Sequence, residues 1–359
     1  MVKMNVEFGD RSYPIYIASD FSGLGKALSG ARMGAKVMLI TDSNVCDHYL
    51  KICVSQMKAA GAEVYSHVIQ AGEKSKTLDT VKDIYRLLIA KRFDRNSVLA
   101  ALGGGVTGDI TGFAAATYMR GINYVQIPTS LLAQADSSIG GKTGVDFEGS
   151  KNMVGAFYQP RFVYINVNTL RTLPLRELSA GLAEVIKHGL IMNAEFYDYI
   201  AYNNKKIFSY DENTLQYMTK MNCTIKKSIV EQDEQEGGLR AILNFGHTFG
   251  HAVESAFDFK LLHGECVSIG IAGAFRLAQK LGMVNATMAD SVENTLKSAG
   301  LPVRIKGMDT QLIYEKMLHD KKAKDGKLNF ILPKGIGEVI SCMLDDERLI
   351  KEVIEGLHE

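Results

Sequence analysis

The chain has 359 residues, 46% of them hydrophobic and 23% charged, which suits a soluble globular protein of two domains better than one ordinary core. Its 41 basic and 40 acidic residues leave a net charge of +1. No global field then draws in nucleic acid or an anionic membrane, and any anion site has to be a local cluster of cations.

The five cysteines (Cys46, Cys53, Cys223, Cys266, Cys342) are scattered and form no CxxC pair, which disfavours a disulfide framework or a cysteine zinc site. MVKMNVEFGDRSYPIYIASD at the start has no apolar core of signal-peptide length, and the most apolar run, CVSIGIAGAF (266–275), is about half of what crosses a bilayer. The expectation is a soluble cytoplasmic protein that meets neither membrane nor nucleic acid. In chain order, KVMLITDS (36–43) reads as a strand ending at Asp42. AEVYSHVIQAGE (62–73) reads as a strand running into a loop, and SKTLDTVKDIYRLLIAKRF (75–93) as a helix with a serine cap. SVLAALGGG (97–105) and INYVQIPTS (122–130) are further strands. Strands alternating with helices imply parallel βαβ units. From Leu173–Pro174 onward the pattern is long and helical, broken by one strand-like run, KLNFILPKGIGEVISC (327–342), that reads as a hairpin. The expectation is an α/β, Rossmann-like dinucleotide-binding domain with a parallel sheet over 1–174. A mainly α-helical metal- and substrate-binding domain follows over 175–359, with a cleft between the two as the default site.

Residues 103–109, GGGVTGD, fit G-x-G-x-x-G between a predicted strand and a predicted helix. Glycines let a backbone approach a pyrophosphate, and a helix N-terminus offers free N–H groups and positive dipole. A glycine-rich turn packed against a sheet would read the same way. No acidic residue follows at the spacing a ribose contact needs, and Asp42 at the end of the first strand is the substitute.

In LNFGHTFGHAVES (243–255), His247 and His251 stand four residues apart, on one face of a helix. His263 opens the next helix, and AGLAEVIKHG (180–189) places Glu184, Lys187 and His188 on one helical stripe. Imidazole and carboxylate suit a borderline divalent metal. HExxH is absent, which disfavours a metalloprotease. Any one of these histidines alone reads equally well as a helix-end residue bonded to backbone. Lys142, Lys151 and Arg240 lie in glycine-rich or apolar turns, Lys187 beside Glu184, Lys226 in NCTIKKS, and Lys321 and Lys322 in HDKKAKDG. Such settings suit cations that grip phosphate.

Taken together, AGEKSKT (71–77), GGGVTGD (103–109), IPTSLLAQADSSIGGKTGVDF (127–147), KNMVGAFYQP (151–160), TLRTLP (169–174), AGLAEVIKHG (180–189), DEQEGGLRAILNFGHTFGHAVE (233–254) and LHGECVSIG (262–270) resemble the 3-dehydroquinate synthases of the sugar phosphate cyclase family. The resemblance spans nearly the whole chain. It implies Glu184, His247 and His263 as ligands of zinc or cobalt, and His251 as a non-ligand proton carrier. It implies NAD bound by Asp42, Asn44, Glu73, Lys76, Gly103, Gly104, Gly105, Val106, Thr107, Gly108, Asp109, Thr129, Ser130, Asp136, Lys142, Lys151, Thr169, Leu170, Arg171 and Thr172. Substrate carboxylate and phosphate would be held by Lys142, Asn152, Lys187, Lys226, Arg240, Asn244 and one of Lys321 and Lys322. Arg120 would be presented to a neighbouring subunit of a homodimer.

The reaction so implied turns 3-deoxy-D-arabino-heptulosonate 7-phosphate into 3-dehydroquinate and phosphate. Oxidation at C5 makes a ketone that acidifies the adjacent C–H, phosphate leaves by β-elimination, the carbonyl is reduced again, and ring opening with aldol closure follows. Two alternatives share parts of the pattern: a metal-dependent polyol or alcohol dehydrogenase, and a sister cyclase making an inosose or valiolone. Lys226, Arg240, Asn244 and His251 together favour the dehydroquinate branch.

Overall fold

The structure, a computed structural model, describes residues 1–31, 33–319 and 327–359. Lys321 and Lys322 lie outside the described residues. The chain divides into two compact units, one of residues 1–173 and 210–227, the other of residues 174–209 and 228–359.

In the first unit, strands β1 (Val2–Val6), β2 (Tyr13–Ala18), β3 (Lys36–Asp42), β4 (Glu63–Ile69), β5 (Val98–Gly103), β6 (Asn123–Pro128) and β9 (Val163–Asn166) form one sheet in the order β1-β2-β9-β6-β5-β3-β4. All neighbours are parallel except the edge pair β1–β2. The central strands are apolar on both faces because both are covered. Val37 and Leu39 of β3 pack with helices α1 (Leu24–Gly30) and α2 (Lys51–Ala59), while Met38 and Ile40 turn to helices α3 (Leu78–Ala90) and α4 (Gly105–Thr117). Val81, Ile84 and Leu88, at helical spacing, are the buried stripe of α3. Its cap is Thr77, whose side chain accepts from the Thr80 N–H, and not the expected serine. The sheet's C-terminal ends at Asp42, Gly103 and Pro128 therefore deliver three connecting turns to one edge.

Residues 142–157 form a second, two-stranded sheet, β7 (Lys142–Phe147) and β8 (Ser150–Phe157), where the sequence reading had only turns. Glycines explain the miss. A Cβ on Gly155 would overlap the Thr143 carbonyl, so the two strands pair where strand propensity is low.

The second unit contains α5 (Leu175–Met192), α6 (Ala194–Phe208), α8 (His247–Ala256), α9 (His263–Lys280), α10 (Ala286–Ser298), α11 (Thr310–His319) and α12 (Glu347–Glu355). It also holds the expected hairpin, β10 (Leu328–Gly335) with β11 (Glu338–Leu344). Helix α7 (Glu212–Gln232) follows α6, and its residues 212–227 belong to the first unit, whereas the expectation placed the whole of 175–359 in one domain. Polar contacts help tie it there. Asn222 Nδ2 donates to the Ala135 carbonyl at 2.6 Å and Lys226 pairs with Asp136 at 2.7 Å, from one face of the helix. Helix α5 is buried from Leu178 to Ile191 and carries Glu184, Lys187 and His188 in that stretch. Charged groups in the middle of a buried helix are rare unless paired or functional. No helix among the described residues is long and apolar enough to cross a membrane.

Candidate active site

Glycine contacts bring α5, α8 and α9 together. A Cβ on Gly264 would overlap the Ala180 carbonyl of α5, and one on Gly270 would overlap the Gly246 carbonyl just before α8. Gly246 itself has φ +78°, the left-handed region that glycine enters without strain. This approach gathers Glu184 from the middle of α5, His247 from the start of α8 and His263 from the start of α9, with ligand atoms all within 4.8 Å of one another.

The geometry fits one small divalent ion. His247 Nε2 lies 3.6 Å and His263 Nε2 3.5 Å from Glu184 Oε1. Two ligands each about 2.1 Å from a tetrahedral ion would be about 3.4 Å apart. His247 Nδ1 stands 3.1 Å from the Phe245 carbonyl, which can only accept, so Nδ1 carries the hydrogen and Nε2 keeps its lone pair. His263 Nδ1 faces Glu254 Oε2 at 3.4 Å, so Nδ1 keeps a hydrogen and Nε2 is the nitrogen left to give up its proton to an ion. Glu184 is 1% exposed, and neither oxygen receives a hydrogen bond among the described residues; its partner is the Lys187 ammonium. A buried carboxylate needs a cation beside it; Lys187 supplies one, and a divalent ion between the other oxygen and the two imidazoles would supply a second. Burial would push the Glu184 carboxyl up, but Lys187 and the two imidazoles outweigh it and hold it well below the usual range. Burial, with Lys187 adding to it, keeps His247 well below the usual imidazole value. Burial opposes a charge on His263 too, yet Glu184 and Glu254 prevail and hold it at about 9. His251 sits 5.0 Å from His247, ring to ring, and is half-buried and outside the trio.

The loop before α8 holds two further expected residues. Asp233 accepts the N–H groups of Gly237, Gly238 and Arg240 at 2.8, 2.7 and 2.9 Å. That clamp fixes Arg240, which is 2% exposed and whose guanidinium donates to the Glu234 carbonyl. Asn244 Nδ2 donates to Glu236 Oε1 at 2.9 Å.

In the first unit, Gly104 caps α4 between the end of β5 and Gly105. A Cβ on Gly103 would come within 2.6 Å of Thr107 Oγ1 and 2.9 Å of Asp42 Oδ2, and one on Gly108 within 2.8 Å of Gln126 Oε1. The turn is packed closely against its own neighbours at both places, which small residues permit. Asp42 Oδ1 accepts from the N–H groups of Asn44 and Val45 at 2.9 and 3.2 Å, and Oδ2 from Thr107 at 3.1 Å. The Thr129 N–H donates to the Gly103 carbonyl at 2.9 Å, and Ser130 Oγ accepts from the Ala133 N–H. Lys76 is buried, paired to Asp109 at 2.7 Å and bonded to Asn152 Oδ1 at 2.5 Å. Burial opposes its charge, but Asp109 holds it above the usual lysine value. Thr169, Leu170, Arg171 and Thr172 form a short turn after β9, anchored by Tyr49, whose hydroxyl lies 2.6 Å from Thr172 Oγ1. Glu73 and Asn44 are exposed. Lys142 and Lys151, read as turn residues, lie on β7 and β8. Arg120 is exposed with φ +67°, after Met119 at φ +51°. The NAD set thus lies wholly in the first unit. The substrate set is divided: Lys142, Asn152 and Lys226 in the first, Lys187, Arg240 and Asn244 in the second.

Models of the 3-dehydroquinate synthase N-terminal and C-terminal regions match residues 66–180 and 181–323. A 3-dehydroquinate synthase of Acetivibrio thermocellus is 60% identical over 360 residues, covering 100% of both chains. The chain belongs to the 3-dehydroquinate synthase family. Among solved structures, a 2-epi-5-epi-valiolone synthase from Streptomyces hygroscopicus with NAD+ and Zn2+ bound superposes with a TM-score of 0.90 at 28% identity, over 99% of each chain. A 2-deoxy-scyllo-inosose synthase complexed with carbaglucose-6-phosphate, NAD+ and Co2+ gives 0.87 at 26% identity, over 99% of this chain and 100% of that one.

Within this family framework the sequence reading missed four supporting residues: Glu254 behind His263, Asp233 behind Arg240, Tyr49 behind Thr172, and Gln134, which donates to Thr169 Oγ1 at 2.9 Å. For Glu254 a signal existed. It lies three residues after His251 and seven after His247, on the same face of α8. Nothing in the local pattern singles out the other three, whose partners are distant in sequence or backbone groups.

Proposed function

We propose that this chain converts 3-deoxy-D-arabino-heptulosonate 7-phosphate to 3-dehydroquinate and phosphate, as a carbon–oxygen lyase of the shikimate pathway with bound NAD and one divalent ion, zinc or cobalt. The end-to-end likeness to 3-dehydroquinate synthases carries this reading over the sister cyclases. The 103–109 turn, Asp42, Asn44, Glu73, Lys76, Thr129, Ser130, Asp136, Lys142, Lys151 and residues 169–172 would hold NAD, which when bound would supply reversible hydride transfer with no net redox. The divalent ion, held by Glu184, His247 and His263, would act as a Lewis acid at the C5 oxygen.

The remaining work falls to this chain's own groups. Lys142, Lys187, Lys226 and Arg240, with Asn152 and Asn244, would hold the carboxylate and phosphate and stabilise the leaving phosphate through preorganised charge. Support comes from the burial of Lys187, Lys226 and Arg240, since cations kept out of water act more strongly on an anion. In this reading the phosphate would help remove the proton for its own departure. His251 would then pass protons through water. The same reading takes the chain to be a cytoplasmic homodimer of two-domain subunits, with Arg120 offered to the neighbour; its exposure on a left-handed stretch of backbone supports that.

The test is turnover of the heptulosonate phosphate with trace NAD. Phosphate release without accumulating NADH is expected. Stoichiometric NADH from a simple alcohol would overturn the reading in favour of a dehydrogenase.

A further inference from the structure

Glu254 is a carboxylate 5% exposed on α8, one residue type that is almost never buried without a task. Its Oε2 meets Nδ1 of His263 at 3.4 Å, across from the Nε2 that faces Glu184 at 3.5 Å. The two imidazole nitrogens of His263 are therefore addressed by two different buried carboxylates, one on each side of the ring. A carboxylate can only accept a hydrogen bond unless protonated, so the ring holds a hydrogen toward each; when a divalent ion replaces the Nε2 proton, the Glu254 contact keeps the remaining hydrogen on Nδ1 and leaves the Nε2 lone pair to the ion. His263 has special need of such help. It is the first residue of α9 and is more exposed than the other two members of the trio, so packing alone holds its ring less firmly. His247 takes the same service from the Phe245 carbonyl, which brings a dipole but no charge.

We propose that Glu254 is a positioning residue for the metal: it fixes the tautomer and ring orientation of His263 and makes Nε2 a stronger donor. The inference rests on the metal-site reading of Glu184, His247 and His263. A group behind a ligating histidine is commonly worth about 10–100-fold in metal affinity.

The experiment is zinc titration of the metal-free full chain against a competing chelator, for the wild type, Glu254→Gln and Glu254→Leu. Glutamine keeps an acceptor and loses the charge; leucine loses both. The expected order is a loss of about 10-fold for glutamine and about 100-fold for leucine. NAD affinity should stay at the wild-type value, which a general loosening of the fold would not allow. Unchanged zinc affinity in both variants would overturn the proposal. So would two zinc ions per chain with the second lost in Glu254→Gln, because His251, Glu254 and His263 also lie close enough to share an ion and Glu254 would then be a ligand. A wild-type chain that binds no zinc would instead bring down the metal-site reading, and the positioning role with it.

Discussion

His247 and His251 differ by one helical turn, and that turn separates their chemistry. His247 turns Nε2 to Glu184 with its other nitrogen tied to a carbonyl, whereas His251 lies beside it outside the trio. Removal of His263 by substitution with alanine should therefore abolish stoichiometric zinc, read by elemental analysis of purified protein; a full complement of metal in that variant would exclude His263 as a ligand. His251→Ala should keep its zinc. Arg240 makes the complementary case for an anion. Its backbone is clamped by Asp233 and its guanidinium is buried, so Arg240→Ala removes a fixed cation while every residue of the trio stays in place. A hydrogen bond to a charged group contributes about 1.5–3 kcal/mol, so KM for the heptulosonate phosphate should rise at least about 10-fold, with the Kd of NAD unchanged. An equal loss for both ligands would remove Arg240 from the substrate site.

At the scale of elements, the site depends on how closely three helix backbones can run. Gly264 and Gly270 are the points of contact, and Gly264→Ala would drive a methyl group into the Ala180 carbonyl. The expected outcome is a loss of about 1–3 kcal/mol in denaturant unfolding together with weakened zinc binding, because α5 and α9 move apart exactly where they carry Glu184 and His263. Normal stability would mean the helices have slack that the glycines do not report. Legibility in the sequence follows the same physics. Strands β3 and β5 were plain because continuous apolar runs between turns have few other readings, and α5 was plain because its periodicity spans 18 residues. The β7–β8 hairpin was not, since its strands pair through Gly144 and Gly155, residues that ordinarily signal turns. The trio was visible as residue types but not as a geometry. Nothing local says that an α5 carboxylate meets the first residues of α8 and α9, and only the glycine contacts explain it.

For the molecule as a whole, the two ligand sets fall on different parts of the chain in a way the linear boundary after residue 174 does not express. Every residue expected to bind NAD lies within 1–173, and the expected metal ligands Glu184, His247 and His263 lie within 174–209 or 228–359. Residues 210–227 follow the NAD set, fastened through Asn222 and Lys226 to the turn at Ala135 and Asp136. A ligand that binds only the folded state stabilises by about 2.7 kcal/mol at a hundredfold excess over Kd, and local opening reports where that stabilisation lands. Amide hydrogen exchange should accordingly slow in α5, α8 and α9 when zinc is added alone. With NAD alone it should slow in the 103–109 turn and at 129–130 and 169–172. The return segment supplies the sharpest check: amides of 218–227 should follow NAD, although they lie between two stretches that follow zinc. If that segment responded to zinc and ignored NAD, the assignment of Asp136 to the cofactor, and the tie of Lys226 to it, would fail, and the helical region from 175 onward would have to be treated as one piece.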